Sequence, residues 1–169
     1  MKDRKPLIRA FFILMELIFK VMKESGMMSN KPVQSNIIRI NPNADFYFNR
    51  AWETFDKNKL EQALKYFKRA TSLSDNDGDR EFGQCQTALI YQHLGNFQKS
   101  CDLINELIEK GSENYPEVHY FQANNYAFLG DYTKALKCTQ MYLYLVPNGE
   151  YREEAEEFQK DLEEELNIF

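Results

Sequence analysis

The chain is poor in the side chains that usually carry covalent or metal chemistry. Of 169 residues only two are histidine, three cysteine and one tryptophan. His93 and His119 have no cysteine or carboxylate at ligand-like spacing on their own helix face, so no metal site is expected. Cys85, Cys101 and Cys138 are odd in number and widely spaced. That argues against a disulfide framework and fits reduced, mostly buried thiols in a cytoplasmic protein. No serine elbow, phosphate-cradling glycine loop or dinucleotide fingerprint occurs. Asp75, Asp77 and Asp79 alternate with Asn76 and Gly78, yet the register and closing glutamate of a calcium loop are missing, and Glu81 comes too early. The segment reads as a wet turn. No enzymatic activity and no cofactor are expected.

Long apolar runs are missing as well. Residues 7–22 follow Lys2, Arg4 and Lys5 and superficially resemble a secretory leader. Arg9 and Glu16 interrupt them, and no small-x-small cleavage site follows. The longest uncharged run there, residues 10–15, is far short of the roughly 20 residues a membrane span needs. Glycine and proline, seven and five in all, sit at boundaries, as a helical protein places them.

Charge is unevenly spread. Residues 1–43 carry eight basic and three acidic side chains, whereas residues 44–169 carry thirteen basic and twenty-three acidic ones, a net −10. The last twenty residues alone contribute −7. Phosphate would be repelled by such a body, so nucleic acid is not an expected partner. A basic or mixed-charge partner is easier to accommodate, and a solvated acidic surface is the plain alternative.

What the chain does have is a repeat. A turn, a bulky apolar residue and a small residue recur at Asn58-Lys59-Leu60 to Ala63, Gly95-Asn96-Phe97 to Ser100, and Gly130-Asp131-Tyr132 to Ala135, spaced by 37 and then 35 residues. A unit of that length, helical on both sides of its turn, is a helix pair that stacks on its neighbours. The period predicts helices over 44–56 and 60–73, 80–94 and 97–110, and 117–129 and 132–145. Residues 74–79 read as a polar connection, and Gly111 closes its helix. A last helix over 151–168 carries Ala155, Phe158, Leu162 and Leu166 on one stripe and glutamates elsewhere, as a terminal cap requires. That acidic cap argues against further C-terminal repeats, although a fragment of a longer repeat protein remains an alternative. The organisation is thus a hydrophobic N-terminal helix in 1–25, a linker in 26–43, repeats at about 44–75, 81–111 and 116–147 within 44–149, and the cap in 150–169.

The stretch 120–147 resembles a tetratricopeptide repeat through Ala123, Tyr126, Gly130, Tyr132, Ala135 and Pro147. Residues 81–111 resemble it through Ala88, Tyr91, Gly95 and Phe97, with Ser100 where the pattern usually has alanine. Residues 44–75 do so through Tyr47, Ala51, Leu60, Ala63, Phe67 and Ala70, with Asn58 in place of glycine. The resemblance implies an all-α solenoid of three helix pairs and a protein–protein interaction module or chaperone-like scaffold. It further implies that the first helix of each pair lines a concave groove. That wall would carry Phe48, Trp52 and Phe55, then Phe82, Cys85, Leu89 and Gln92, then Tyr120, Asn124 and Phe128. Some family members grip a terminal carboxylate there. Asn124 matches one such position, but the basic residues are missing from this wall, so an acidic C-terminal tail is not the expected ligand.

An aromatic wall implies either an anchor site for a hydrophobic peptide or helix, or core covered by another part of the chain. The segment 7–24 is a candidate cover. It is apolar almost all round, with Phe11, Leu14, Ile18 and Met22 on one face, and must itself be covered. It would pack on the repeats in cis, swap between two chains of a homodimer, meet a partner protein, or lie on a membrane surface.

Overall fold

The computed structural model describes residues 42–111, 115–149 and 151–166. The expected N-terminal helix, residues 26–41 of the expected linker and the cover candidates Phe11, Leu14, Ile18 and Met22 lie outside the described residues. Among the described residues there are seven helices and no strand. They are α1 (Ala44–Asp56), α2 (Leu60–Leu73), α3 (Asp77–His93), α4 (Phe97–Glu109), α5 (Val118–Phe128), α6 (Tyr132–Leu145) and α7 (Arg152–Glu165). Each packs on its neighbours in sequence, and α3 also touches α5, so the first helices of the second and third pairs lie side by side.

The same turn closes all three pairs. Asn58, Gly95 and Gly130 adopt φ of 55°, 72° and 83°. In each case the next residue's N–H reaches back across the helix end: Lys59 to Thr54 O at 2.9 Å, Asn96 to Tyr91 O at 2.8 Å, and Asp131 to Tyr126 O at 2.9 Å. This is a Schellman-type cap, which needs one residue in the left-handed region. Glycine enters that region freely and asparagine more readily than most residues, which is why Asn58 can stand at the first turn.

Beyond each turn the small residue is fully buried. Ala63, Ser100 and Ala135 are all 0% exposed. In α2 the buried positions continue as Phe67 and Ala70, in α4 as Cys101, Ile104 and Leu107, and in α6 as Leu136, Thr139 and Tyr142. Spacing of three and four puts each set on one stripe. α7 follows the same rule with Ala155, Phe158 and Leu162 inward. Just before it, the Tyr151 ring stacks on Tyr120 at 5.6 Å, and its N–H donates to Tyr142 Oη at 3.2 Å.

Two features depart from the sequence reading. α3 starts at Asp77, three residues before its expected start, so half of the polar connection belongs to its first turn. Asn76 Oδ1 accepts from the Asp79 N–H at 2.8 Å. Asp77 and Asp79 sit at the positive end of the helix, where carboxylates are stabilising. Arg80 ties the corner by donating to Asp77 and to the Ser74 and Asp75 carbonyls. The second departure is burial. In α3, residues 85 to 90 are all buried, and in α5 residues 120 to 125 are all buried. Consecutive burial on a helix means cover on every side, not one stripe.

Candidate binding surface

The ten wall residues predicted from the sequence come from α1, α3 and α5, and none of them is exposed. Trp52, Cys85, Leu89, Gln92, Tyr120 and Asn124 are buried, while Phe48, Phe55, Phe82 and Phe128 are half-buried. Several are joined through rings. Phe48 lies 5.5 Å from Phe82 and 6.3 Å from Phe67, linking the first two pairs. Trp52 meets Phe67 edge-on at 5.1 Å and Phe55 at 6.1 Å. Phe55 meets His93 at 5.3 Å. At the other end Phe128 stacks on Phe97 at 4.1 Å, and Tyr120 sits among Phe121, Tyr142 and Tyr151. Such pairs contribute about 0.5–1.5 kcal/mol each beyond the area they bury.

The two polar members of the wall turn inward. Asn124 donates to the Tyr120 carbonyl one turn back at 3.0 Å. Gln92 donates to Phe121 O at 2.8 Å and to Asn125 Oδ1 at 2.7 Å, across the boundary between the second and third pairs. Gln92 therefore opens a network the sequence reading missed. Asn125 donates to Ser100 Oγ and to Gln122 Oε1, each at 3.0 Å. Gln122 donates to the Cys101 carbonyl at 3.1 Å and to Asn105 Oδ1 at 2.7 Å. Tyr126 closes the set with a 3.3 Å bond to Asn105 Oδ1. Ser100 departs from the alanine of the repeat pattern, and Asn125 is the partner that uses its hydroxyl. Polar residues on helices otherwise buried all round were the available signal.

Burial shapes the titratable groups of this region. It pushes the Cys85 thiol up to about 12, with Glu117 adding to the effect. That thiol is inert as a nucleophile near neutral pH. Tyr120 is likewise raised to about 12, by burial and then by the charge of Glu154. His93 ends α3, where the helix dipole favours a cation, but burial lowers it to about 4 and so favours the neutral ring. All three cysteines are free, Cys85 and Cys101 buried and Cys138 half-buried. Among the described residues no cluster of histidine, cysteine and carboxylates could hold a metal ion, and no helix is long and apolar enough to cross a membrane.

Residues 44–77 match the tetratricopeptide repeat family. The chain is similar to the TPR repeat-containing protein YvcD of Bacillus subtilis (strain 168), with 31% identity over 120 residues. That match covers 71% of this chain and 24% of the relative, so the chain spans about a quarter of that protein's length. Among solved structures, the first TPR of Spaghetti (RPAP3), bound to the HSP90 peptide SRMEEVD, shares the fold with a TM-score of 0.64 and 17% identity, over 78% of this chain and 99% of that one. With three identically closed helix pairs, small residues at their contacts and a capping helix, the chain belongs to the tetratricopeptide repeat family.

Proposed function

We propose that this chain is a non-enzymatic adaptor that holds a hydrophobic peptide or helix against the aromatic wall of α1, α3 and α5. The observation that carries this reading is the set of aromatic rings along α1, α3 and α5 that stay partly open, since Phe48, Phe55, Phe82 and Phe128 are half-buried. Leu89, Trp52, Tyr120 and Cys85 are at most 5% exposed and pack within the chain, so the half-open rings are the anchors a partner would reach. Repeat proteins of this family generally mediate protein–protein interactions, and a similar fold holds an HSP90 peptide.

Binding is tested with a labelled amphipathic apolar peptide and the full-length chain by fluorescence anisotropy. Trp52→Ala and Phe128→Ala are expected to weaken capture at least tenfold while helical content persists. Unchanged capture by a folded variant rules this wall out. A second reading is favoured by the apolar segment 7–24, in which Phe11, Leu14, Ile18 and Met22 occupy the wall in cis or by exchange between two chains. Under it, removing residues 1–25 changes the mass measured by light scattering, or raises peptide affinity with the mass still monomeric. A truncated chain unchanged in both mass and affinity refutes it. A membrane tether would instead carry the full-length chain, but not the truncated one, with floating liposomes.

A further inference from the structure

Resting on the wall reading above, we infer that the bound segment carries an arginine, whose guanidinium enters the seam between α1 and α3. Three acceptor oxygens of α3 are buried and meet no hydrogen-bond donor among the described residues: Glu81 Oε2, Gln86 Oε1 and Gln92 Oε1. Gln92 is fixed by its amide in the α3–α5 junction, where it donates to Phe121 O and Asn125 Oδ1. Gln86 is different. It is 3% exposed. Residues 82, 86 and 93 fall on one stripe of the helix. Phe82 meets Phe48 of α1 at 5.5 Å, and His93 meets Phe55 of α1 at 5.3 Å. Gln86 therefore lies between two ring contacts that cross the seam.

A buried acceptor without a donor is destabilising. An apolar side chain at position 86 would pack among these rings without that cost. The glutamine oxygen thus asks for a donor from outside the chain, and the chemistry of the seam selects which one. An amide or hydroxyl would bring an acceptor of its own into a dry place, whereas a guanidinium or ammonium only donates. Phe48, Phe55 and Phe82 are half-buried, so part of each ring stays open beside Gln86. Aromatic faces attract cations, and the flat, weakly hydrated guanidinium stacks on them better than an ammonium does.

Charge points the same way. No lysine or arginine is among the ten wall residues, and residues 44–169 carry a net −10. Arg50 and Arg80, the arginines of α1 and α3, pair with Glu53 and Asp77. Burial lowers His93 to about 4, so the ring beside Phe55 is neutral at neutral pH. Glu81, next to Phe82, adds a carboxylate with one buried oxygen. A cation that enters the seam meets no like charge from these residues. The fitting ligand is an apolar segment with one arginine among its anchors.

The test uses the full-length chain and two fluorescein-labelled amphipathic leucine peptides, otherwise uncharged, followed by anisotropy. They differ at one central residue, arginine in one and norleucine in the other. The wild type should hold the arginine peptide about tenfold more tightly. A citrulline peptide, which keeps the shape but loses the charge, should show no such gain. Gln86→Met keeps the bulk and removes the acceptor. It should erase the preference for arginine and, because the stranded oxygen is gone, raise the urea midpoint of the free chain. A glutamine that serves packing alone gives the opposite sign, a lower midpoint. Equal affinity of the wild type for the arginine and norleucine peptides overturns the subsite and leaves the wall standing. So does a Gln86→Met variant that keeps the preference or has a lower midpoint. Capture of neither peptide at millimolar concentration overturns the wall, and the subsite with it.

Discussion

Replacing Asn125 by alanine should uncouple the second helix pair from the third. Asn125 is 0% exposed, and its amide serves three partners: Gln92 Nε2 of α3 at 2.7 Å, Ser100 Oγ of α4 at 3.0 Å and, on its own helix, Gln122 Oε1 at 3.0 Å. Alanine deletes all three bonds without reaching the space they occupied. Gln92 keeps its bond to Phe121 O, and Gln122 keeps its donor contacts to Cys101 and Asn105. The Gln122 carbonyl oxygen loses its Asn125 donor in a dry site. A typical buried hydrogen bond contributes about 1 kcal/mol net, and a stranded acceptor costs about 1–3 kcal/mol. The expected loss is roughly 3 kcal/mol, a large share of the 5–15 kcal/mol that typically holds a domain together.

The assay is urea denaturation followed by far-ultraviolet circular dichroism, with a parallel thermal scan. A loss of that size should lower Tm by about 10 °C. Because repeat stability is a sum of unit and nearest-neighbour terms, weakening one junction should also broaden the transition. Ser100→Ala restores the residue the repeat pattern favours and removes only one partner, so it should cost about 1 kcal/mol. Combined with Asn125→Ala it should add less than its own single cost, leaving a coupling of about 1 kcal/mol. A loss below about 1 kcal/mol for Asn125→Ala, with fully additive behaviour, would refute the view that this network sets the junction.

Gly83→Ala places a methyl against the Thr71 hydroxyl, 3.1 Å from Thr71 Cβ and 3.3 Å from Phe48. It should destabilise by about 1–3 kcal/mol in urea titration despite alanine's better helix propensity, and Thr71→Ala should recover most of that loss. His93 has its folded pKa lowered to about 4 from 6.5, so the unfolded chain binds the proton first. Its contribution is complete above pH 6.5 and drains away as pH falls towards 4; urea midpoints between pH 7 and 5 should fall, and His93→Gln should flatten that slope. Asn58→Ala forces a β-carbon into φ of 55° without the asparagine side chain, and should lower stability by about 1 kcal/mol, whereas Asn58→Gly should be neutral or better.

The helix pairs were legible because their determinants are local. The turn residues at 58, 95 and 130 dictate left-handed backbone, and the small residues at 63, 100 and 135 follow at a fixed interval. Both signals survive in a single sequence without any tertiary knowledge. The start of α3 was not legible in the same way. Asn76 caps through one side-chain oxygen, and the acidic run that follows looks like solvent-exposed loop to a reading based on polarity. Charge near a helix start is stabilising for a reason that hydrophobic periodicity does not register.

The sequence named ten candidate wall positions without revealing their environment. The family resemblance implied a groove face for Gln92 and Asn124, and neither it nor periodicity says which neighbour that face meets. Their amides instead bond to Phe121, Asn125 and Tyr120. The clue lay in a departure from pattern. Ser100, where this fold prefers alanine, is fully buried, and a buried hydroxyl requires a partner. Asn125, 25 residues on, supplies it. An anomalous polar residue at a packing position thus predicts a second one on the adjacent helix, and the pair specifies register between repeats that are otherwise nearly interchangeable. In a stack of similar units, such paired exceptions keep the second hairpin from docking where the third belongs.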